Sequence, residues 1–562
     1  MPLKPIFDKA PLTAMNAQPL RAGLVRAENA AMNKLYTMTS NSNAPAALEG
    51  TFRLACIVTA KPADEPVAAK IRALLNTQNE EGAFALSMAD SVAVLRAAWA
   101  LYEYEARKPL LDHIARWCAY AVKNWEMLMA DNEIWTDCAD LLELLENLYR
   151  VTGKAAVLTL CDRIATQTMG WSSFLNTMSS QRPTNKAVTR EELLTGIERE
   201  AGSREGYYTH FRMINHPESL ADGARSTMAK GWYSGSATEL NATRNGWERL
   251  YRHHGAICGG LTSDEMLEGT APSAAISTAA LGAWAEALCS AAMGENAGWA
   301  YDALGRMAYN AMPACVGGDK LLAFQRVNTL TADPFDDTCF DVTADHSERA
   351  LNRLVRGYAA VASSAVTATP DGAAVNLYMP GRYAVPVDDE LLILTVSASA
   401  KGVQISVHCK ETVKAVVKLR VPSWSRSTEV TVNGADNHSD VKNGMMTFDR
   451  TWHDGDTIAM SFELTLNVVD GHHQGKYVMR GPVLMALPVN DENWKQSFVA
   501  AAVEDGCITA KLAPITTWKE KNGIPADIPV LPEADGEASA YALTPYAKTS
   551  SRIALFPGRK QA

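Results

Sequence analysis

The sequence predicts a multidomain α + β chain, with a helical part over residues 1–374 and an antiparallel β-sandwich part over 375–562. Three observations predict it. At 562 residues the chain exceeds what one hydrophobic core usually organises. Apolar residues recur at helical spacing through most of the first 365 positions. Near residue 370 the pattern changes to short alternating runs rich in Val, Ile, Leu and Thr.

The helical part reads as successive helices joined by short connections. "SVAVLRAAWALYEYEARK" is one. "ADLLELLENLYRVTG" places Leu141, Leu144, Leu145 and Leu148 on one face and stops at Gly153. "STAALGAWAEALCSAAMG" ends at Gly294, and "SERALNRLVRGYAAVASSAV" opens on Ser347 as an N-cap. Roughly a dozen such helices make about six antiparallel pairs, which can close into a toroid. The β part follows in "ELLILTVSASAKGVQISVHC", "AVVKLRVPSW", "EVTVNG" and "GMMTFDRTWHDGDTIAMSF", separated by Gly, Asn, Asp and Pro. Past about residue 520 the Pro/Ala-rich tail reads as loose wrapping.

Composition narrows the function classes. Apolar residues make up 47%, charged residues 21%, and the net charge is −10. That acidic balance, with no basic run, argues against a nucleic-acid partner. No window approaches the ~20 apolar residues of a membrane span. Ten cysteines without C-x-x-C spacing, and an N-terminus without a signal-peptide stretch, point to the cytoplasm. A homodimer is compatible with the sequence.

Two stretches carry the candidate chemistry. "YRHHGAICGGLTSDEMLEGTAPS" (251–273) holds His254, Asp264, Glu265 and Glu268 on a connector long enough to be functional. Paired carboxylates suit acid and base work, because repulsion can hold one protonated; a solvated acidic loop is the plainer reading. "DDTCFDVTADH" (336–346) sets Cys339 among Asp336, Asp337 and Asp341, where negative charge disfavours the thiolate. A buried small apolar residue is the plainer reading of that cysteine. Trp135 sits at a helix entrance and is a candidate sugar platform, whereas Trp284 and Trp299 follow helical spacing and read as core.

Together these segments resemble the glycoside hydrolases of the β-L-arabinofuranosidase type, family 127 and its relatives. His254, Gly255, Asp264, Glu265, Leu267, Gly269 and Pro272 match the pattern H-G-x(8)-D-E-x-L-x-G-x-x-P. His216 ahead of "GWYSG", and "VNLYMPG", "LRVPSW", "VTVNG", "RTWHDGD" and "YVMRGPV", fall in the family's order. The resemblance implies an (α/α)6 barrel followed by β-sandwich domains, acting on a small carbohydrate. It implies retaining hydrolysis, with Glu265 as acid/base and Cys339 as nucleophile; His216, His254 and Asp264 fall on its pattern, and with Glu268 and Trp135, read from the loop and the helix entrance, they are the candidates to surround the sugar.

The departures bear on the chemistry. Relatives hold the thiolate on zinc through an E-x-C motif and two adjacent cysteines. Here Ser277 and Ala279 occupy the E-x-C positions and Phe340 replaces the second thiol. One ligand of four remains, too few for zinc, so no metal and no cofactor is expected. An unassisted thiol of pKa about 8.5 is only a few per cent ionised at pH 7. Three readings follow: Cys339 still attacks, Asp337 or Asp341 replaces it beside Glu265, or the site now binds or transforms another ligand. A non-catalytic carbohydrate-binding protein, a lyase or an epimerase on the same fold are the alternatives.

Overall fold

The structure is a computed structural model. It describes residues 30–59, 61–129, 134–167, 169–178, 214–264, 266–294, 297–317, 320–329, 344–387, 390–399, 402–437, 439–464, 466–472, 475–488, 496–504, 507–514, 520–521, 524–525 and 539–556.

Six helices organise the first part: α1 (Pro45–Val58), α2 (Met88–Glu105), α3 (Ile134–Thr152), α4 (Pro217–Ser234), α5 (Thr278–Ala292) and α6 (Ala344–Ala365). Each packs on the next, and α6 packs back on α1. A second set lies against them. Ala30–Thr39 covers α1 and α6, Pro66–Leu75 and Pro109–Lys123 cover α2, and Ala155–Gln167 covers α3. Ala237–His254 covers α4, and Gly298–Arg306 covers α5. Among the described residues no helix is long and apolar enough to cross a membrane.

The closest packing is between α5 and α6. A Cβ on Gly282 would lie 2.1 Å from the Arg353 carbonyl oxygen, and one on Gly357 would lie 2.8 Å from the Gly282 Cα. Two glycines therefore let these backbones touch. Helix α6 begins at Ala344, so Ser347 lies inside the first turn instead of capping it; alanine is the strongest helix former, and the helix extends through it. Helix α3 stops at Thr152, just before Gly153.

Strands begin directly after α6. Val366–Thr369 and Gly372–Val375 join Val413–Arg420 and Met445–Trp452 in one sheet. A second sheet runs from Ala435–Asp436 through Thr428–Val432, Thr457–Phe462, Gly402–His408 and Glu390–Ser399 to Gly381–Val387. Burial alternates on both. Leu392, Leu394 and Val396 of one sheet and Val413, Ala415, Val417 and Leu419 of the other enter the same apolar core. One pairing departs from the expected antiparallel pattern: Val416–Leu419 runs parallel to Gly372–Val375. The chain leaves the first sheet, builds three strands of the second, and returns in its original direction, which a parallel pair requires.

The end of the chain is tightly held where it is described, not loosely wrapped. Tyr546 is fully buried, its hydroxyl donates to Gln325 Oε1 at 3.0 Å, and Arg552 stacks 3.7 Å from its ring. Thr329 bridges Arg552, and Asn328 Oδ1 accepts from the Ala554 and Leu555 amides. These bonds anchor the segment that leads to residue 330. Replacement of Gly282 by alanine is expected to cost about 1–3 kcal/mol, because backbone instead of a mobile side chain must move. Denaturant unfolding of Gly282→Ala measures it; a wild-type midpoint would show that α5 and α6 are not in contact there.

Candidate active site

Each of the six helices sends a charged side chain into the interior of the cycle. Arg96 of α2 meets Glu49 of α1 at 2.6 Å and Glu143 of α3 at 2.8 Å. Arg225 of α4 meets Asp140 at 2.7 Å and also pairs with Glu143. Arg356 of α6 meets Asp140 at 2.7 Å and Glu286 of α5 at 2.8 Å. The partners advance together along the helices: Glu218 pairs with Arg349 at 3.0 Å, and one turn on, Asp222 pairs with Arg353 at 2.7 Å. Helices α4 and α6 therefore run parallel. The layer crosses the interior near mid-helix.

On the C-terminal side of the layer lies a cavity of about 210 Å³, lined by Trp99, Glu103, Glu146, Arg150, Trp232 and Met293. The N-terminal side receives the candidate loops. His216 stands at the N-terminal boundary of α4, buried, with Nε2 3.9 Å from Glu218 and Nδ1 3.4 Å from the Ser219 hydroxyl. Helices α4 and Ala237–His254 form an antiparallel hairpin, with Thr243 Oγ1 donating to Ala224 O at 2.9 Å. That hairpin returns His254 to the end of the molecule where His216 starts.

From His254 the loop folds on itself. The Gly269 amide donates to His254 Nδ1 at 3.0 Å, which makes that nitrogen the acceptor. Thr262 donates its amide to the His254 carbonyl at 2.8 Å. Gly259 has φ +98°, and a Cβ there would lie 2.8 Å from the Met307 backbone, so the loop seats flush on its neighbour. Ser263–Asp264 and Met266–Leu267 then form a short hairpin, and the Ser263 amide donates to Ala275 O at 2.7 Å. Ile276–Ser277 pairs with Phe324–Gln325 and leads into α5. There the Ser277 hydroxyl accepts from the Ala280 amide at 3.3 Å.

The sequence-predicted residues distribute as follows. Glu265, Cys339 and Asp337 lie outside the described residues. Trp135 is the second residue of α3, and Asp264 ends the first hairpin strand. His254 and Glu268 hold the loop in shape, with Glu268 Oε2 accepting from the Ala275 amide at 2.8 Å. Of the tryptophans read as core, Trp284 is fully buried, but Trp299 is only half-buried. The charged layer was missed. Its signal was the spacing of Glu218, Asp222 and Arg225 in α4 and of Arg349, Arg353 and Arg356 in α6, each a charged stripe along one helix face.

Burial raises the carboxyl of Asp140, but Arg356, Arg96 and Arg225 outweigh it and hold the group well below the usual range. Glu218 is likewise lowered, burial being outweighed by Arg349 and Arg353. In the cavity the balance reverses. Burial lifts Glu103 despite Arg53, and lifts Glu146 despite Arg150.

Comparison with known proteins gives three findings. Residues 372–464 match the family model of the beta-L-arabinofuranosidase GH127 middle domain. No curated protein matches the sequence. Among solved structures, one described as a glycoside hydrolase shares 13% identity, covering 94% of this chain and 95% of its own, with a TM-score of 0.68. A GH127 beta-L-arabinofuranosidase from Geobacillus stearothermophilus T6 shares 16% identity over 94% of each chain, at 0.61. The GH127 beta-arabinofuranosidase BT3674 shares 14% over 99% of this chain and 98% of its own, also at 0.61. The chain is thus similar in fold to these proteins along nearly its whole length, and its segment 372–464 matches the GH127 middle-domain model.

The charged layer predicts an acid-sensitive window. Burial favours protonated Glu49, but Arg96, Arg356 and Arg53 lower its carboxyl from 4.5 to about 2. That difference is equivalent to about 3 kcal/mol. Because the folded-state value is the lower one, this stabilisation is full above about pH 4.5 and is lost as the pH falls toward about 2. Thermal unfolding of wild type and Glu49→Gln should show a gap that narrows from pH 6 to pH 3; a constant gap would contradict the pairing.

Proposed function

We propose that this protein is a glycoside hydrolase of the β-L-arabinofuranosidase type, zinc-independent, acting on a small oligosaccharide or glycoconjugate. One observation carries the reading: a GH127 middle domain stands in a chain whose whole fold is similar to that of GH127 arabinofuranosidases. In this reading the cycle of six helices is the inner ring of an (α/α)6 barrel spanning 1–374, and 375–562 is the β-sandwich part.

Glu265 protonates the glycosidic oxygen while the Cys339 thiolate attacks the anomeric carbon, so that the C–O bond breaks as the C–S bond forms. Glu265, then a carboxylate, takes a proton from water. That water displaces sulfur and restores the thiolate. Asp337 is the substitute nucleophile if the thiol is silent. His216, His254, Asp264, Glu268 and Trp135 surround the sugar. Supporting this assignment, Ser263–Asp264 and Met266–Leu267, which flank position 265 in the sequence, form a hairpin bonded to Ala275. The approach to residue 330 is anchored beside it, through Phe324–Gln325 and Thr329. Arginine-paired Glu218 stays ionised, which suits an electrostatic role over that of a proton donor.

Zinc does not fit the residues present. The Ser277 hydroxyl is engaged in capping α5, and Ala279 has no donor atom. Neither replaces a carboxylate or thiolate ligand, so no step is routed through a metal. Buried thiols such as Cys289 and Cys315, each pushed up to about 12 by burial, suit a reducing cytoplasm. The partner proposed is a small carbohydrate, without nucleic acid or membrane; a homodimer fits equally.

A second reading places the chemistry in the 210 Å³ cavity, where Glu103 and Glu146 have raised carboxyls of the kind general acids need. Turnover of a chromogenic β-L-arabinofuranoside separates the two. Glu265→Gln is expected to lower it about a hundredfold or more, and Cys339→Ala to abolish it. Wild-type rates in both variants, with loss in Glu146→Gln, would move the reaction to the cavity. Activity in Cys339→Ala that disappears in Asp337→Asn would make the carboxylate the nucleophile.

A further inference from the structure

A larger cleft, about 570 Å³, lies away from the interior of the cycle, between the helices Gly298–Arg306 and Ala237–His254 and the β part. Its walls carry aromatic rings that are not fully buried, among them Trp299, Tyr309 and Trp424. Trp424 is held edge-on by Phe462 at 5.1 Å, which fixes its plane. Rings fixed in this way at a junction of two structural parts are the usual lining of a small-molecule site. Their electron-rich faces suit the C–H face of a sugar.

The cations in the cleft narrow the ligand further. Arg420 is matched, with Asp302 at 2.6 Å and the Asn376 carbonyl at 2.6 Å. Arg306 is not. Among the described residues its side chain meets the Ile257 carbonyl and the Tyr477 hydroxyl, both at 3.4 Å, and the Tyr251 hydroxyl, all neutral groups, and no carboxylate lies within ion-pair distance. Arg426, exposed at the same cleft, also has no carboxylate partner among them. A half-buried guanidinium held by long, neutral contacts is incompletely compensated. Arginine pairs best with a planar carboxylate or a phosphate.

We propose that this cleft binds an acidic saccharide, its ring against Trp299 and Trp424 and its carboxylate or phosphate on Arg306 and Arg426. Of the described candidate residues, His216, His254 and Glu268 do not line it. Ligand there would touch Arg306, which also holds Ile257 of the loop that runs on to residue 265.

Isothermal titration of the full chain tests this with a galacturonate disaccharide and glucose 1-phosphate, using the neutral disaccharide and inorganic phosphate as controls. At least one acidic sugar is expected to bind ten times or more tighter than its control. Arg426→Gln and Trp424→Ala should each weaken that binding at least tenfold, and Glu265→Gln should leave it unchanged. Arg426 is exposed, so its variant keeps the fold, and matching melting curves verify this. Binding of neither acidic sugar, or binding indifferent to Arg426 and Trp424, overturns the proposal. Inorganic phosphate binding as tightly as the sugar phosphate overturns the saccharide assignment. A ligand-free dimer abolished by Trp424→Ala would instead assign the cleft to a second copy of the chain.

Discussion

Arginines and acids meeting in the middle of a six-helix cycle are the interaction on which the rest of the molecule depends. Isolated charges in that interior would be prohibitive. Here Arg96, Arg225 and Arg356 each meet acids from more than one helix. Removing one partner from such a set typically costs about 3–5 kcal/mol, because the remaining charges stay buried. Each pair also sets the height of one helix against its neighbours. Starts of α4, α5 and α6 are thereby brought to one end, where His216, Ser277 and Ala344 sit.

The same layer divides the interior. One side holds the cavity with Glu103, Glu146 and Trp232. The other receives the 255–276 loop, whose shape is set by His254 accepting from Gly269 and by Glu268 accepting from Ala275. A loop bonded this closely to its own backbone can hold a carboxylate in one place. At the entry to α5 the Ser277 hydroxyl caps the helix by accepting from the Ala280 amide.

Much of the secondary structure was legible, because periods of 3.6 and 2 survive in single segments such as 139–153 and 390–399. The layer was not. Glu218, Asp222 and Arg225, or Arg349, Arg353 and Arg356, look in sequence like the solvated face of an amphipathic helix. Nothing local says that the opposing helix supplies the countercharge. Parallel pairing of Gly372–Val375 with Val416–Leu419 depends on contacts across some forty residues and leaves no local trace. Trp299 has the spacing of a core residue, yet the helix that carries it borders a cleft. For the site, the glycine-rich loop and its acids were visible through composition and family pattern. The capping work of Ser277 was visible only as a missing ligand.

Which side of the charged layer binds the sugar is the most direct question. A crystal structure of the Glu265→Gln protein soaked with a β-L-arabinofuranoside answers it. The account predicts the furanose at the N-terminal ends of α4, α5 and α6, its anomeric carbon between residues 265 and 339. A furanose lodged instead among Glu103, Glu146 and Trp232, with the loop end empty, would contradict it.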